Sequence, residues 1–168
     1  SALAVHKGTI ICAEKNRKIN LIPIRRGKGT CIRGYSSRVK ALAVHKNTII
    51  GGSYKTIVLW TFRGGRCIGT FKGHSGWVSA LAVHKDTIIS GSADETIKLW
   101  YGGVCFKTLR GHSGGVEALA VHNDLIISGS GDYDKPGNIK LWTLEGDCIR
   151  TLEGHSKPVT ALAVHKDI

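Results

Sequence analysis

Apolar residues along this chain fall in short segments, and polar or glycine-rich turns separate them. Residues 77–109 show the pattern clearly, since WVSALAV, TIISGS, TIKLW and VCFKTL alternate with the turn sequences HKD, ADE and YGG. Segments rich in Val, Ile, Thr and Trp between turn formers are typical of β-strands. The pattern predicts strands over 77–83, 87–92, 96–100 and 104–109. The first two are apolar on both faces, which indicates a sheet covered on both sides.

The first of these strands recurs along the whole chain. The hexapeptide ALAVHK stands at 2–7, 41–46, 80–85 and 161–166, and ALAVHN stands at 118–123, which gives spacings of 39, 39, 38 and 43 residues. A period near 40 built from short strands is typical of the blades of a β-propeller. Helical repeats of similar length need long amphipathic segments, and the sequence has none.

Residues 73–100, GHSGWVSALAVHKDTIISGSADETIKLW, resemble a WD repeat of the β-transducin type, with Gly-His before the inner strand and a closing Trp. The resemblance extends over the chain, although the Asp that follows the Trp in the family is absent after Trp60, Trp100 and Trp142. It implies an all-β propeller of four-stranded antiparallel blades, four blades plus one extra inner strand in this chain. The blades are expected at about 1–35, 36–73, 74–111 and 112–154, and 155–168 is expected to form the inner strand of a fifth or shared blade.

In the WD family a His, a Ser or Thr, an Asp and the closing Trp form a buried hydrogen-bond chain, and the resemblance implies two such sets here. They are His74, Ser90, Asp94 and Trp100 in the third repeat, and His112, Ser128, Trp142 and either Asp132 or Asp134 in the fourth. We interpret them as structural tetrads rather than hydrolase triads, because the set occurs twice at equivalent places without an oxyanion-hole motif. The first two repeats are degenerate, with Tyr35 in place of the His of the second.

No residue pattern in the sequence predicts a catalytic site, a metal site or a cofactor, and we expect the chain not to be an enzyme. His6, His45, His84, His122 and His165 close the inner strands, and we interpret them as turn residues, because metal ligands must converge within about 2 Å of the ion. The insertion GDYDKPGN at 131–138 resembles the start of a calcium loop, but Pro136 and Thr143 stand where two ligands would be needed.

The resemblance implies that partners bind the face formed by the loops before the inner strands and by the turns between second and third strands. On this face we predict partner contacts from Arg38, Tyr54, Lys55, Trp77, Tyr133 and Lys157. Trp77 stands at the very start of its inner strand, where the other repeats have Arg38, Gly115 and Pro158, so it has no packing role common to all repeats. Exposed Trp is a frequent interface anchor. The sequence therefore predicts a non-catalytic platform for protein partners.

Charge is distributed unevenly. Residues 1–73 hold 15 Lys and Arg against Glu14 alone, a formal +14, whereas residues 74–168 hold 9 against 11 acidic residues, a formal −2. An anion-binding module for RNA or phosphoinositide is therefore an alternative function. An accessory propeller of a larger enzyme is another alternative, because a fold does not by itself fix function. The candidate contacts for an anion are Arg25, Arg26, Lys28, Arg33, Arg38, Lys40, Arg63 and Arg66. Protein partners are favoured because aromatic residues are few and no RNA-binding motif occurs.

Four blades would leave a ring open, with apolar faces at both ends. We expect residues 155–164 to pair with the first blade of a second copy, which would close an eight-bladed ring as a homodimer; further blades in a longer chain are the alternative. No apolar run approaches the roughly 18 residues of a membrane span. Four of the five cysteines, Cys31, Cys67, Cys105 and Cys148, occupy equivalent places and are expected to be buried thiols. They predict an intracellular protein of the cytoplasm or nucleus.

Overall fold

The computed structural model describes residues 2–14, 18–25, 27–32 and 37–165. In these residues the chain forms 15 strands and no helix. The strands are β1 Ala2–His6, β2 Thr9–Ala13, β3 Ile19–Pro23, β4 Thr30–Ile32, β5 Ala41–His45, β6 Thr48–Gly52, β7 Tyr54–Thr61, β8 Cys67–His84, β9 Thr87–Ser92, β10 Ile97–Tyr101, β11 Val104–Leu109, β12 Val116–His122, β13 Leu125–Ser130, β14 Ile139–Trp142 and β15 Cys148–Leu152. The all-β class predicted from the sequence is confirmed.

Every pairing between these strands is antiparallel and joins strands that follow one another in the chain. Strands β1 to β4 form one four-stranded sheet, β12 to β15 form another, and β5 to β11 form a seven-stranded sheet. The larger sheet arises because β8 is a single long strand that pairs with β7 through its first half and with β9 through its second. We call β1–β4 blade 1, β5–β7 with the first half of β8 blade 2, the second half of β8 with β9–β11 blade 3, and β12–β15 blade 4.

Three apolar clusters lie between successive blades. Trp60 packs with Ile11 and Ile49 between blades 1 and 2, Trp100 packs with Val78 and Ile50 between blades 2 and 3, and the third cluster contains Ile89, Val116 and Trp142. The inner strands β1, β5, β8 and β12 contact one another in this order. The apolar runs on both strand faces of blades 2 and 3 are thus explained, because each of these two blades is covered by another blade on either side.

Glycines at the ends of the second strands let adjacent blades approach closely. A Cβ on Gly91 would lie 2.5 Å from Cγ1 of Val116, and a Cβ on Gly52 would lie 2.7 Å from Cγ1 of Val78. Each valine belongs to the inner strand of the following blade. A side chain at either glycine would therefore push two blades apart.

Residues 155–168 were expected to form a further inner strand, but the described part of this segment, 155–165, contains no strand. The amide of Val159 donates a hydrogen bond to the carbonyl oxygen of Ser130, 3.1 Å away, and Val159 is only 7% exposed. The equivalent contact between blades 2 and 3 is the hydrogen bond from the Val78 amide to the Ser53 carbonyl oxygen, at 3.0 Å. Val159 thus lies against blade 4 as Val78, in the inner strand of blade 3, lies against blade 2. The segment forms no ladder because no following strand in the described residues pairs with it.

Apolar side chains on the two outermost blade faces are more exposed than their equivalents inside the array. Leu3 and Val5 of β1 are 67% and 60% exposed, whereas Leu42 and Val44 at the same places in β5 are half-buried. On blade 4, Leu152 is 38% exposed, while the equivalent Leu109 is 2% exposed. Both outer faces therefore present apolar surface of the kind that other blades cover elsewhere in the chain.

The expectation of buried cysteines is wrong. Cys31, Cys67 and Cys148 are exposed, and Cys105 is half-buried. These residues lie on the outermost strand of each blade, where one face of the strand points to solvent. The described residues include no helix long and apolar enough to cross a membrane.

Candidate partner-binding face and its supporting networks

A buried hydrogen-bond network joins the strands of blade 3. Trp100 Nε1 donates to Ser90 Oγ at 2.8 Å, and Ser90 Oγ lies 2.7 Å from His74 Nε2. His74 Nδ1 lies 2.8 Å from Asp94 Oδ2. With Nδ1 protonated, the imidazole donates to the carboxylate and accepts from the serine hydroxyl. Each of these polar atoms of the network therefore has a partner.

Burial and hydrogen bonding fix the charges in this network. Burial lowers the pKa of His74 and outweighs the opposing effect of Asp94. Burial would raise the pKa of Asp94, but hydrogen bonds from Thr96, the Ser75 amide and His74 hold it well below its usual range. The pair is therefore a neutral imidazole donating to an ionised carboxylate.

Blade 4 contains the equivalent network with one different member. Trp142 Nε1 donates to Ser128 Oγ at 2.8 Å, and this oxygen lies 2.6 Å from His112 Nε2. The fourth member is Asn138, whose Oδ1 lies 2.9 Å from His112 Nδ1. Because the acceptor carries no charge, burial lowers the pKa of His112 to about 4.

The prediction that Asp132 or Asp134 completes the blade 4 network is therefore wrong. Asp132 accepts a hydrogen bond from the Gly115 amide at 3.2 Å and forms an isolated bridge with Lys135. Both aspartates are exposed. The inserted residues move them to the start of a longer loop, and Asn138, at the point where the chain enters β14, is left beside His112.

These His–Ser networks support the fold and offer no reactive group to a substrate. Ser90 and Ser128 have no exposed surface, and each hydroxyl is already bonded to a Trp indole and a His ring. The networks fix the loops that precede the inner strands against the turns that follow the second strands. These loops and turns form the predicted partner-binding face.

On that face, Tyr54 and Trp77 pack together at the junction of blades 2 and 3. Their ring centroids are 5.2 Å apart at an interplanar angle of 56°, and the two residues are partners in the β7–β8 ladder. Lys55 Nζ lies 5.0 Å from the Tyr54 ring, and Lys40 Nζ lies 5.1 Å from the Trp77 ring. We call these four residues the Tyr54–Trp77 cluster. Trp77 is half-buried rather than fully exposed, because Tyr54 covers part of it.

Two other predicted contacts, Tyr133 and Lys157, form a smaller group two blades away from the Tyr54–Trp77 cluster. Tyr133, on the loop between the second and third strands of blade 4, is 85% exposed, and Lys157 Nζ lies 4.9 Å from its ring. We call these residues the Tyr133–Lys157 pair. In both groups an aromatic residue from such a turn meets a residue that precedes the next inner strand. The structure therefore brings the predicted residues together as two separate groups at equivalent places.

Arg38 is near the Tyr54–Trp77 cluster through its backbone. Its carbonyl oxygen accepts a hydrogen bond from Ser53 Oγ at 2.8 Å, directly before Tyr54. Lys40 was proposed from the sequence only as a contact for anions, and its place over Trp77 was missed. The lysine is one residue before β5, but the partner ring is in the following blade, so no local pattern could indicate the contact.

Polar contacts between blades on the opposite face were also missed. His45 Nε2 and Lys46 Nζ lie 2.9 and 2.7 Å from Asp86 Oδ1 in the next blade. His84 Nε2 and Lys85 Nζ lie 2.6 and 3.2 Å from Asp124 Oδ1, but only the lysine forms a hydrogen bond with this oxygen. We call these contacts the inner-hairpin ladder. The signal in the sequence was a His followed within two residues by Asp or Asn at the blade period, as in HKN at 45–47, HKD at 84–86 and HND at 122–124, which the prediction of turn residues did not use.

The first step of the inner-hairpin ladder is incomplete. Lys7 Nζ donates to Asn47 Oδ1 at 3.2 Å, but His6 Nε2 is buried without a hydrogen-bond partner. His6 instead packs edge-on against Phe62. In the described part of the chain no three His, Cys, Asp or Glu side chains converge to hold a metal ion.

The candidate anion contacts are partly grouped. Lys28 and Arg63 line a groove of about 480 Å³ between blades 1 and 2, together with Thr9 and Thr30. Arg25 lines an adjoining groove with Lys7. Arg26 and Arg33 are outside the described residues, as is Tyr35 of the degenerate second repeat.

A protein-family model and solved structures both relate the chain to propellers built from WD repeats. The family described as WD domain, G-beta repeat matches residues 65–101, 103–143 and 146–167. No curated protein matches the chain. Among solved structures, the chain is similar to the computationally designed Ika8 protein, with a TM-score of 0.84 and 30% identity over 99% of this chain and 52% of that one.

Two further structures are similar. The WD40 β-propeller domain of Doa1 has a TM-score of 0.81 and 29% identity over 94% of this chain and 55% of that one. The computationally designed Ika4 protein has a TM-score of 0.74 and 29% identity over 84% and 89% of the two chains. The chain thus spans about half the length of the Ika8 and Doa1 chains. Since the family match includes more than half of its residues, the chain belongs to the WD40 repeat family and has the β-propeller fold.

Proposed function

We propose that this chain is a non-catalytic platform that binds protein partners through the face carrying the Tyr54–Trp77 cluster and the Tyr133–Lys157 pair. The observation that carries the proposal is the repetition of an aromatic–cation group at two equivalent places on one face. Aromatic side chains combine large contact area with few rotatable bonds, which makes them effective interface anchors.

The supporting networks suit this role. His74 and His112 fix the loops before two inner strands to the neighbouring second strands. A rigid scaffold beneath exposed side chains reduces the entropy lost when a partner binds. Two groups at equivalent places two blades apart would also allow one partner to make two contacts.

The test is selection of peptides from a random display library on the immobilised chain. We expect enriched peptides to lose binding to Tyr54→Ala or Tyr133→Ala. Tyr101→Ala is the matched control, because Tyr101 is 64% exposed but lies at the opposite end of its strand from this face. Equal loss of binding in all three variants, or in none, would contradict the proposal.

The outer faces of blades 1 and 4 support a proposal about assembly. Leu3 and Val5 are exposed on blade 1. Residues 155–165 lie against blade 4 but form no strand. We infer that the two faces are covered by further blades, supplied by a second copy in an eight-bladed ring or by a longer chain. Light scattering of the 168-residue protein tests the first source: a mass near twice 18.1 kDa supports the homodimer, and a monomer that binds no hydrophobic dye contradicts both.

Binding of an anion such as RNA or a phosphoinositide is a second candidate function, and the groove lined by Lys28 and Arg63 favours it. Its test is binding to heparin and to phosphoinositide vesicles, with Arg63→Ala and Lys28→Ala as variants. A steep loss of binding with salt would support it, because release of counterions drives such association. Salt-independent or absent binding would contradict it.

The exposed cysteines Cys31, Cys67 and Cys148 bear on the cellular compartment of the protein. Exposed cysteines persist as thiols where the surroundings are reducing. We therefore infer that the platform acts inside the cell, in the cytoplasm or nucleus.

A further inference from the structure

The Tyr54–Trp77 cluster carries positive charge without a matching carboxylate. Lys40 and Lys55 each place an ammonium group over an aromatic ring, and Arg38 is fixed beside the same turn. In the part of the chain that the structure describes, none of these three cations forms a salt bridge. The surrounding sequence is also basic, since residues 1–73 hold 15 Lys and Arg against one acidic residue.

Nearby carboxylates are engaged elsewhere. Asp94 is enclosed by the hydrogen bonds of the blade 3 network. Glu95, next in the same turn, lies 3.3 Å from Lys135 Nζ of blade 4. Both carboxylates of this turn therefore already have partners outside the cluster, which leaves the charge of Lys40 and Lys55 available to a binding protein.

The geometry of the rings limits what that partner can be. Lys40 lies over the ring of Trp77 and Lys55 over the ring of Tyr54, and the rings pack on each other at 56°. Bases of nucleic acids bind such side chains by stacking on an open ring face. An ammonium group covers one face of each ring and so competes with stacking there, while Tyr54 and Lys55 are exposed and Trp77 and Lys40 are half-buried.

The backbone beneath the cluster is held firmly. The Trp77 carbonyl oxygen accepts a hydrogen bond from the Ala93 amide at 2.8 Å, and Trp77 pairs with Tyr54 across the β7–β8 ladder. Gly76 fits tightly against the turn of blade 3, since a Cβ there would lie 2.9 Å from the Asp94 nitrogen. The two rings and their cations therefore form a preorganised surface.

We propose that the Tyr54–Trp77 cluster binds an acidic peptide segment of a partner protein. Carboxylates of the segment pair with Lys40 and Lys55, and an apolar side chain between them packs against the edges of the two rings. This proposal rests on the proposed function, whose partner-binding face contains the cluster.

The test uses the full chain and a random peptide display library, followed by affinity measurements on labelled synthetic copies of the enriched peptides. The key variant is Lys40→Gln with Lys55→Gln, which keeps the apolar stems and removes both charges. The matched control is Lys28→Gln with Lys107→Gln, since both of these lysines are exposed and lie on other strands or loops, Lys28 before β4 in blade 1 and Lys107 on β11. Circular dichroism and thermal melting establish that the variants fold equally well.

We expect the peptides that depend on Tyr54 to be rich in Asp and Glu. Their affinity should fall at least about fivefold in the key variant and remain unchanged in the control. It should also fall as salt rises from about 50 to about 500 mM, because the pairs are exposed.

Two results would overturn this proposal and leave the proposed function intact. Peptides that depend on Tyr54 but are neutral or basic, or that bind the key variant normally, would show that charge does not select the partner. Tighter binding of a single-stranded oligonucleotide at the same residues would assign the cluster to nucleic acid and overturn it as well. If no enriched peptide depends on Tyr54 or Tyr133, the proposed function fails together with this proposal.

Discussion

His112 Nδ1 lies 2.9 Å from Oδ1 of Asn138, a neutral amide at the place where blade 3 has the carboxylate of Asp94. Ser130 Oγ also donates to this amide oxygen at 3.0 Å. The two networks therefore share three residue types and a common geometry but differ by one charge. This difference allows the contribution of the charge to be measured within a single protein.

The first prediction compares Asn138→Ala with Asp132→Ala. Loss of the Asn138 acceptor leaves His112 buried with an unpaired nitrogen, so we expect the free energy of unfolding to fall by about 1–3 kcal/mol. Asp132 is exposed, and its removal should cost less than about 0.5 kcal/mol. Urea denaturation measures both. A larger effect at Asp132 would show that the aspartate, and not Asn138, completes the network.

The second prediction concerns pH. Burial lowers the pKa of His112 from 6.5 to about 4, so between these values the unfolded chain binds more protons than the folded one. The free energy of unfolding should therefore fall as pH drops from about 6.5 to about 4, by an amount on the order of 1–3 kcal/mol. Thermal melting across this range measures the loss.

Asn138→Asp is the matched variant for the pH measurement. A carboxylate beside Nδ1 favours the protonated ring and raises the pKa of His112. The variant should therefore lose less stability than the natural protein between pH 6.5 and 5. The contribution of His74 is common to both proteins and cancels in the difference. An identical pH dependence would contradict the assignment of the amide as the histidine's partner.

The third prediction separates firmly and weakly packed contacts between blades. A Cβ at Gly91 would lie 2.5 Å from Val116, and one at Gly129 would lie 2.6 Å from Val159. Val116 belongs to a paired strand, whereas Val159 belongs to a segment without a ladder and can move away. We expect Gly91→Ala to destabilise by about 1–3 kcal/mol and Gly129→Ala by clearly less. Equal losses in denaturation experiments would show that 155–165 is held as tightly as a strand.

The fourth prediction completes the inner-hairpin ladder. Asn47→Asp places a carboxylate beside Lys7, at the place where the following blades have Asp86 and Asp124. We expect a small rise in the melting temperature at low salt that disappears in high salt, because these groups are near the surface. Asn47→Gln is the control and should show no such rise. A lower melting temperature for the aspartate variant would refute the equivalence of the first ladder step with the others.

Much of the fold could be predicted from local sequence because each blade repeats the same short strands and packs them in the same way against its neighbours. The strands predicted at 87–92 and 104–109 coincide with β9 and β11, since runs of β-branched residues between turn formers leave few other conformations. The period of the hexapeptide indicated the propeller, and the comparisons confirm it.

Other features were decided only by contacts between distant residues. Asn138 rather than Asp132 reaches His112 because the inserted loop redirects the chain, and no local pattern records that path. Residues 161–165 repeat the sequence of β1 yet form no strand, because a strand exists only where a neighbour supplies the hydrogen bonds.

On the candidate binding face, too, the sequence predicted some features and contacts between distant residues decided others. The sequence identified Trp77 as unusual for its place in the repeat and Tyr54 as a candidate partner contact. Their packing, and the place of Lys40 over the Trp77 ring, depend on the register in which two blades meet along β8. By itself the sequence determined which elements form and how often they recur, because those follow from local propensity and periodicity. Only the tertiary structure decided which side chains meet across blades, because those distances depend on the chain's path in three dimensions.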